Sequence, residues 1–510
     1  TIFMKPKNSR CMSKSRYICA LCLLLCSMAV SAQTYERVLR GNLWNDSQNI
    51  TGVRQDTVSR SYVELFAGYE GGEFRDPSQA RQGWSAGAVT SSIRHLEKMT
   101  LKGSFSFIQT EGYDMCGSMS IHPGFYPVDV LEFTPGRKTL QTYAFDGGIS
   151  YDVAPNWRIG AMMDFEAANM AKRKDLRHDN WWLDMTVSPG IMYHSGDFAV
   201  GVNYVFRKTS ETIKADQVGA SESSYYAFLD KGMMYGVYAP WTGSGLHLHE
   251  SGVNSFPVKD FSNGAALQMQ YKGLFAEAEY LHTSGVIGEK EYIWFLFPGD
   301  AVNARIGYRH IGRKAQHYAR LGFSWKGREL DENVLEKVTS NGVATVIQHG
   351  SNNIAMENTW TLSPEYEFVS DKVEILAYAD VNMKEKMSSQ MYPYIYTQSL
   401  LTWNAGLKAL FHVGAFDLGA DFGYGSGSVT EEDKTLTGAS GVQTSPYRLQ
   451  DWYDLQMAYT TAQRLGAGLS LRYNFWKGLY VEAAGSLLYG LDFPSPAGRY
   501  AATLKLGYNF

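Results

Sequence analysis

Near the end of the chain, Tyr500, Ala502, Leu504, Leu506, Tyr508 and Phe510 alternate with Arg499, Ala501, Thr503, Lys505, Gly507 and Asn509. A period of two puts the first set on one face of a β-strand and the second on the other. Related patterns recur at 157–167, 183–193, 198–206, 302–310, 319–325, 401–411, 416–424, 465–475 and 479–489. Most of these segments run to about ten residues, the length a tilted strand needs to cross a bilayer, whereas strands of soluble sandwiches average about five or six. The apolar face is therefore read as facing lipid and the polar face as facing a lumen.

The connectors alternate as well. Tight links at 152–156, 195–196, 272–273, 370–371, 414–415 and 476–478 join strands in pairs, and long polar segments at 111–139, 211–262, 327–353, 386–399 and 426–461 separate the pairs. Short periplasmic turns and long extracellular loops are the habit of outer-membrane barrels. The expected fold is all-β: a transmembrane, antiparallel, up-and-down β-barrel over 61–510, with about 18 strands and both chain ends periplasmic. Residues 33–60 contain no convincing strand and are read as a periplasmic tail or a segment inside the lumen. Pro189 and Pro364 interrupt otherwise good strands, where a missing amide donor marks a bulge or a misplaced register.

Composition sharpens this. Aromatic residues make up 14%, with 33 Tyr and 50 Gly, yet mean hydropathy is −0.26. A helical membrane protein needs apolar runs of about 20 residues. The one run approaching that length sits inside 1–32, where Lys14 and Arg16 precede an apolar stretch at 18–25 and Val30-Ser31-Ala32 precede Gln33. Those are the parts of a secretory signal peptide ending at Ala32. Cys11, Cys19, Cys22 and Cys26 fall within it, leaving Cys116 alone and excluding a disulfide framework for the mature chain. Removing the leader's five basic residues from 47 leaves 42 against 51 acidic ones, about −9; this charge argues against nucleic acid as a partner.

Parity assigns the inward face. Arg305, Arg309, Arg320 and Lys326 point into the lumen, followed by Glu365, Glu367, Glu374 and Asp380, with Arg464, Arg472 and Lys505 forming a second basic group. Opposed basic and acidic walls suit a water-filled pore, where lumen charge sets selectivity; charges pairing across a closed lumen give the same composition. The segment 211–262 is long enough to fold inward as a constriction, with Tyr225, Tyr226, Tyr235, Tyr238 and Trp241 as stacking surfaces. A self-packed loop explains the same aromatics. His247, His249 and Glu250 have metal-compatible chemistry, but alternating histidines are too common to assign a metal, and no cofactor is expected. No nucleophile, histidine and acid arrangement is recognisable, so no enzyme is expected.

The ending Gly507-Tyr508-Asn509-Phe510 resembles the C-terminal signature of outer-membrane proteins, in which a terminal Phe with apolar residues at alternate positions is read by the barrel-assembly machinery. With Leu43-Trp44-Asn45-Asp46-Ser47, Gln463-Arg464-Leu465 and Arg472-Tyr473-Asn474-Phe475, the chain is similar to a family of Bacteroidota outer-membrane barrels of unassigned function. The resemblance implies a lipid-bilayer location in the bacterial outer membrane and docking to the assembly machinery through Phe510. It brings no site. The function expected is a channel or substrate-specific pore for passive passage of small polar solutes. The alternative is a closed barrel serving as an interaction scaffold, or as the partner of a surface lipoprotein, an outer-membrane transporter or a nutrient-uptake complex.

Overall fold

The computed structural model describes residues 42–45, 47–55, 58–216, 225–242, 245–246, 255–290, 292–391, 394–433, 449–494 and 497–510. The leader and the His247, His249 and Glu250 group lie outside the described residues. The first seven wall strands are β1 (Arg60–Gly72), β2 (Gln82–His95), β3 (Met99–Ser118), β4 (Asp129–Ala154), β5 (Trp157–Lys172), β6 (Arg177–Ser195) and β7 (Phe198–Asp216). Three short strands, β8 (Tyr225–Asp230), β9 (Gly236–Thr242) and β10 (Gly245–Leu246), belong to the following loop. The wall resumes with β11 (Phe256–Tyr271), β12 (Leu274–Glu289), β13 (Tyr292–Ile311), β14 (Ala315–Ser340) and β15 (Val343–Ser370). It continues through β16 (Val373–Met391), β17 (Tyr394–Val413) and β18 (Phe416–Asp433). A helix, α1 (Leu449–Thr461), precedes β19 (Arg464–Trp476), β20 (Leu479–Gly490) and β21 (Ala497–Asn509).

These make a closed antiparallel barrel of 18 wall strands. Closure comes from β1 pairing with β21, from Tyr62↔Asn509 to Gly72↔Arg499, and Ser61 and Phe510 exchange backbone hydrogen bonds of 2.9 Å at the foot of the seam. No described helix is long and apolar enough to cross a membrane. Alternation survives in three dimensions: Leu504 is 58% exposed, Leu506 47% and Leu469 71%, while Lys505 points the other way into ion pairs. So broad an apolar exterior would drive aggregation in water and is stable facing hydrocarbon. Aromatic rings collect near the short-turn end. Phe416 stacks on Tyr473 at 4.8 Å, Tyr473 on Phe475 at 5.9 Å and Tyr508 on Phe510 at 5.5 Å, as an interfacial girdle requires. The short links tighten there through left-handed residues such as Gly196 (φ 58°) and Gly414 (φ 62°).

The segments read as long polar loops are in large part strand. β14 and β15 run to 26 and 28 residues, and 333–354 forms a two-stranded ribbon that pairs with neither β13 nor β16. Above the bilayer both faces of a hairpin meet water, so apolar alternation fades while backbone pairing continues. The prolines are neither bulges nor register errors. β6–β7 pairing skips Ser188 and Pro189 and resumes in the same register, and β15–β16 pairing skips Ser363 and Pro364 likewise, whereas Pro189 and Pro364 stay in register with β5 and β14. Each ring removes one amide donor from the ladder on one side.

Inside, residues 42–55 lie against the inner wall at the short-turn end. Trp44 is fully buried, packs edge-on against Phe275 with centroids 5.2 Å apart, and donates its indole N–H to Gln270. Ser47 donates to Glu277 at 2.5 Å, Asn49 to Gln268 at 2.9 Å, and Arg54 forms a 2.6 Å ion pair with Asp152. Wall glycines make the room. A Cβ at Gly160 would fall 2.6 Å from Ile50, and one at Gly190 would fall 2.6 Å from Asn49 Oδ1. The long-loop half is filled differently. Met119, Ile121, Tyr126 and Val128 from the β3–β4 loop pack with Trp182, Trp294, Phe295 and Leu330 of the wall, and β8 adds itself to β4 from Asp129↔Asp230 to Leu131↔Phe228.

Two outcomes follow. Leu504→Arg, on the lipid face near mid-strand, should cost about 2–4 kcal/mol of barrel stability, read by urea unfolding in lipid vesicles, while Thr503→Arg on the lumenal face should cost less than half as much. Trp44→Ala should weaken docking of the 42–55 segment by about 3–5 kcal/mol; limited trypsin digestion of the folded barrel should then cleave after Arg54 far faster than in the unaltered protein.

Candidate functional site

The residues expected to line the lumen meet partners on adjacent strands. Arg305 on β13 pairs with Glu277 on β12 at 2.8 Å and lies 5.2 Å from the Phe275 ring. Arg320 on β14 pairs with Glu365 at 3.4 Å and Glu367 at 3.8 Å on β15. Glu374 meets His412 at 3.2 Å, which also reaches Asp417 at 2.7 Å. Asp380 accepts from Ser363 at 2.6 Å. Lys505 on β21 lies between Glu64 on β1 at 3.4 Å and Glu482 on β20 at 3.8 Å, and Arg472 joins Glu482 at 2.6 Å.

Basic and acidic groups are thus interleaved strand by strand and not gathered on opposite walls. An ion pair inside low dielectric neutralises its own field locally. The opposed basic and acidic walls expected from sequence order are not formed at these positions. Arg309 lies elsewhere, lining a smaller cavity of ≈ 410 Å³ at the short-turn end with Asn42, Leu43 and Lys272. Arg464 serves the helix: its guanidinium donates to the carbonyls of Tyr459 at 2.5 Å and Thr460 at 3.0 Å, satisfying the C-terminal end of α1.

Of the loop aromatics, Tyr235 packs on Tyr396 with centroids 4.9 Å apart and Tyr238 on Phe228 at 5.1 Å, so both rings are engaged within the fold. Tyr225 and Tyr226 stand opposite Trp241 and Pro240 in the β8–β9 ladder. Cys116 is buried at the end of β3 within electrostatic reach of Lys138 and Lys172.

The long-loop half of the lumen retains a cavity of ≈ 740 Å³. One side is wall: Arg328 of β14, Glu357 of β15, and Lys384 and Lys386 of β16. The other side is supplied by Met233 and Met234 of the β8–β9 turn and by Trp452, Tyr453 and Met457 of α1. Tyr453 anchors the helix, accepting from Gln398 at 2.6 Å and donating to Glu432. Burial and the Glu432 hydrogen bond push its phenol well above the usual range, so it remains a donor.

The wall residues escape a reading that ends β14 at 325 and assigns 327–353 and 386–399 to loops. Register recovers them. Arg328 stands opposite Glu357 and Glu357 opposite Lys386, while Lys326 stands opposite Thr359 and Thr359 opposite Lys384. All six share the inward parity set by exposed Phe323, Met356 and Met383. Arg328 and Lys384 clasp Glu357 at 3.0 and 3.1 Å, Arg328 also donates to the Phe125 carbonyl at 2.6 Å, and the Lys326 ammonium sits 5.4 Å from the Phe125 ring. No group of three or more metal-compatible side chains occurs among the described residues.

Comparison with solved structures returns outer-membrane receptors at low identity. The ferric yersiniabactin uptake receptor FyuA from Yersinia pestis is 8% identical, with 89% of this chain and 80% of that one aligned and a TM-score of 0.42. The ferric preacinetobactin receptor BauA from Acinetobacter baumannii is 8% identical over 88% and 80% of the two chains, with a TM-score of 0.40. The ferric enterobactin receptor PfeA from Pseudomonas aeruginosa is 9% identical over 89% and 81%, with a TM-score of 0.40. No curated protein matches the chain. A family model matches residues 51–510, and the chain belongs to that family, a family of unknown function (DUF6850).

Proposed function

We propose that the protein is a substrate-specific outer-membrane pore for small polar solutes whose lumen is occupied from both ends by its own chain, with both termini on the periplasmic side. The observation that carries this reading is the ≈ 740 Å³ cavity inside an 18-strand wall. A barrel of 16 to 18 strands is wide enough for an aqueous channel, and this cavity volume falls in the range of about 300–1,000 Å³ typical of small-molecule sites. Residues 42–55 obstruct the short-turn end through hydrogen bonds and one ion pair, contacts weak enough individually to exchange with water.

A second reading, a closed barrel acting as scaffold or as partner of a surface lipoprotein or nutrient-uptake complex, is favoured by the 333–354 ribbon, which exposes Val334 and Ile347 beyond the wall. Pull-down in mild detergent that returns only this chain counts against it.

In planar bilayers the unaltered protein should show small, infrequent conductance steps. Deleting residues 42–55 should raise single-channel conductance several-fold and admit solutes in liposome swelling. A large, steady conductance from the unaltered protein, or an unchanged one after deletion, contradicts the occupied-lumen reading.

A further inference from the structure

Two rows of wall residues beside the cavity gather several cations. Arg328, Glu357 and Lys386 form one row across β14, β15 and β16, and Lys326, Thr359 and Lys384 form the next. Arg328, Lys384 and Lys386 line the cavity as a patch around Glu357, while Lys326 lies outside the lining and within electrostatic reach of Asp260 as well. Glu357 is taken by Arg328 and Lys384. The Arg328 side chain is only 9% exposed, and its Nε is buried with no hydrogen-bond partner among the described residues. Its terminal nitrogens are taken by Glu357 and by the carbonyls of Gly124 and Phe125.

The lining also holds the acids Glu70, Asp76, Glu111, Asp129, Asp230 and Glu329, of which Glu111 and Glu70 are paired with cations of their own. Glu111 is held by Arg137, Glu70 by Arg499 at 2.8 Å, and Asp129 accepts from Ser118 at 2.9 Å and Ser120 at 3.1 Å. The remaining lining near the patch is apolar and soft: Met233, Met234 and Trp452. Methionine side chains adapt to irregular ligand shapes, and an indole offers a flat face.

We propose that this patch binds the oxyanion of a small organic anion, a carboxylate or phosphate held by Arg328, Lys384 and Lys386, with the body of the ligand lying against the methionines and Trp452. The proposal rests on the pore reading only in taking that anion as the solute. The lysines supply mobile point charges, and Arg328, already bonded to Glu357 and to the Gly124 and Phe125 carbonyls, adds its positive charge beside them. The cavity accommodates a ligand of about sugar-phosphate or aromatic-acid size.

The test is isothermal titration of the purified full chain in detergent with glucose 6-phosphate, benzoate and inorganic phosphate, with glucose as the uncharged control. At least one organic anion should bind saturably and more tightly than inorganic phosphate, with no heat from glucose. The Lys384→Gln, Lys386→Gln double variant should weaken binding about 100-fold, from two lost charge-assisted contacts at roughly tenfold each, and Lys386→Gln alone about tenfold. Lys386→Arg, which keeps the charge, should stay close to the unaltered protein. Heat-modifiable migration on gels verifies that each variant is folded.

Binding unaffected by the double variant, binding of glucose equal to glucose 6-phosphate, or no saturable binding of any anion overturns the site. Tighter binding of inorganic phosphate than of either organic anion overturns the organic body. Liposome flux measured on the same preparations separates the two readings. Flux of neutral solutes without anion binding removes the site and leaves the pore, whereas anion binding without flux of any solute retains the site and removes the pore.

Discussion

The structure depends on the need to satisfy every backbone amide and carbonyl where no water is available. A sheet with two edges cannot meet that need in hydrocarbon; a sheet closed on itself can. The β1–β21 seam is where the condition is completed, eleven residue pairs long and finished by the reciprocal bonds between Ser61 and Phe510. Once the wall is closed, parity is fixed around it, and a one-residue slip in any strand would turn charged side chains toward lipid. Even the prolines obey this. Pro189 and Pro364 give up local pairing on one side and leave the register intact.

Closure also creates a volume that must be filled or hydrated. At the short-turn end the chain fills part of it with polar hydrogen bonding from residues 42–55, centred on one buried tryptophan. At the other end it builds a small apolar core from the β3–β4 loop, the β8–β9 hairpin and the inward faces of the wall. The two fillings differ in kind. The apolar core resembles the interior of a soluble domain and resists opening, whereas the polar segment can trade its bonds for water.

Much of the wall was legible in the sequence because lipid imposes a strict apolar period wherever the strand touches it. Tyr500 to Phe510 shows this directly, and Arg305, Arg320, Arg472 and Lys505 sit in ion pairs with neighbouring strands. Their partners were not legible. Glu277, Glu482 and Glu64 reach them through strand register, which periodicity alone does not give. The strand extensions were lost because both faces of a solvated hairpin are polar, and with them went Arg328 and Lys386. The role of 42–55 was hidden for a different reason. Its contacts, such as Trp44 with Gln270 and Ser47 with Glu277, span 226 and 230 residues of sequence, and a segment without period carries no local sign of where it docks.

The central claim is that the barrel is occupied from within by its own residues 42–55. Amide hydrogen exchange of the full chain in lipid nanodiscs, resolved over those residues, tests it most directly. Protection of Trp44 to Val53 within an order of magnitude of the neighbouring wall strands is the result the structure predicts; exchange at the rate of free chain would contradict it.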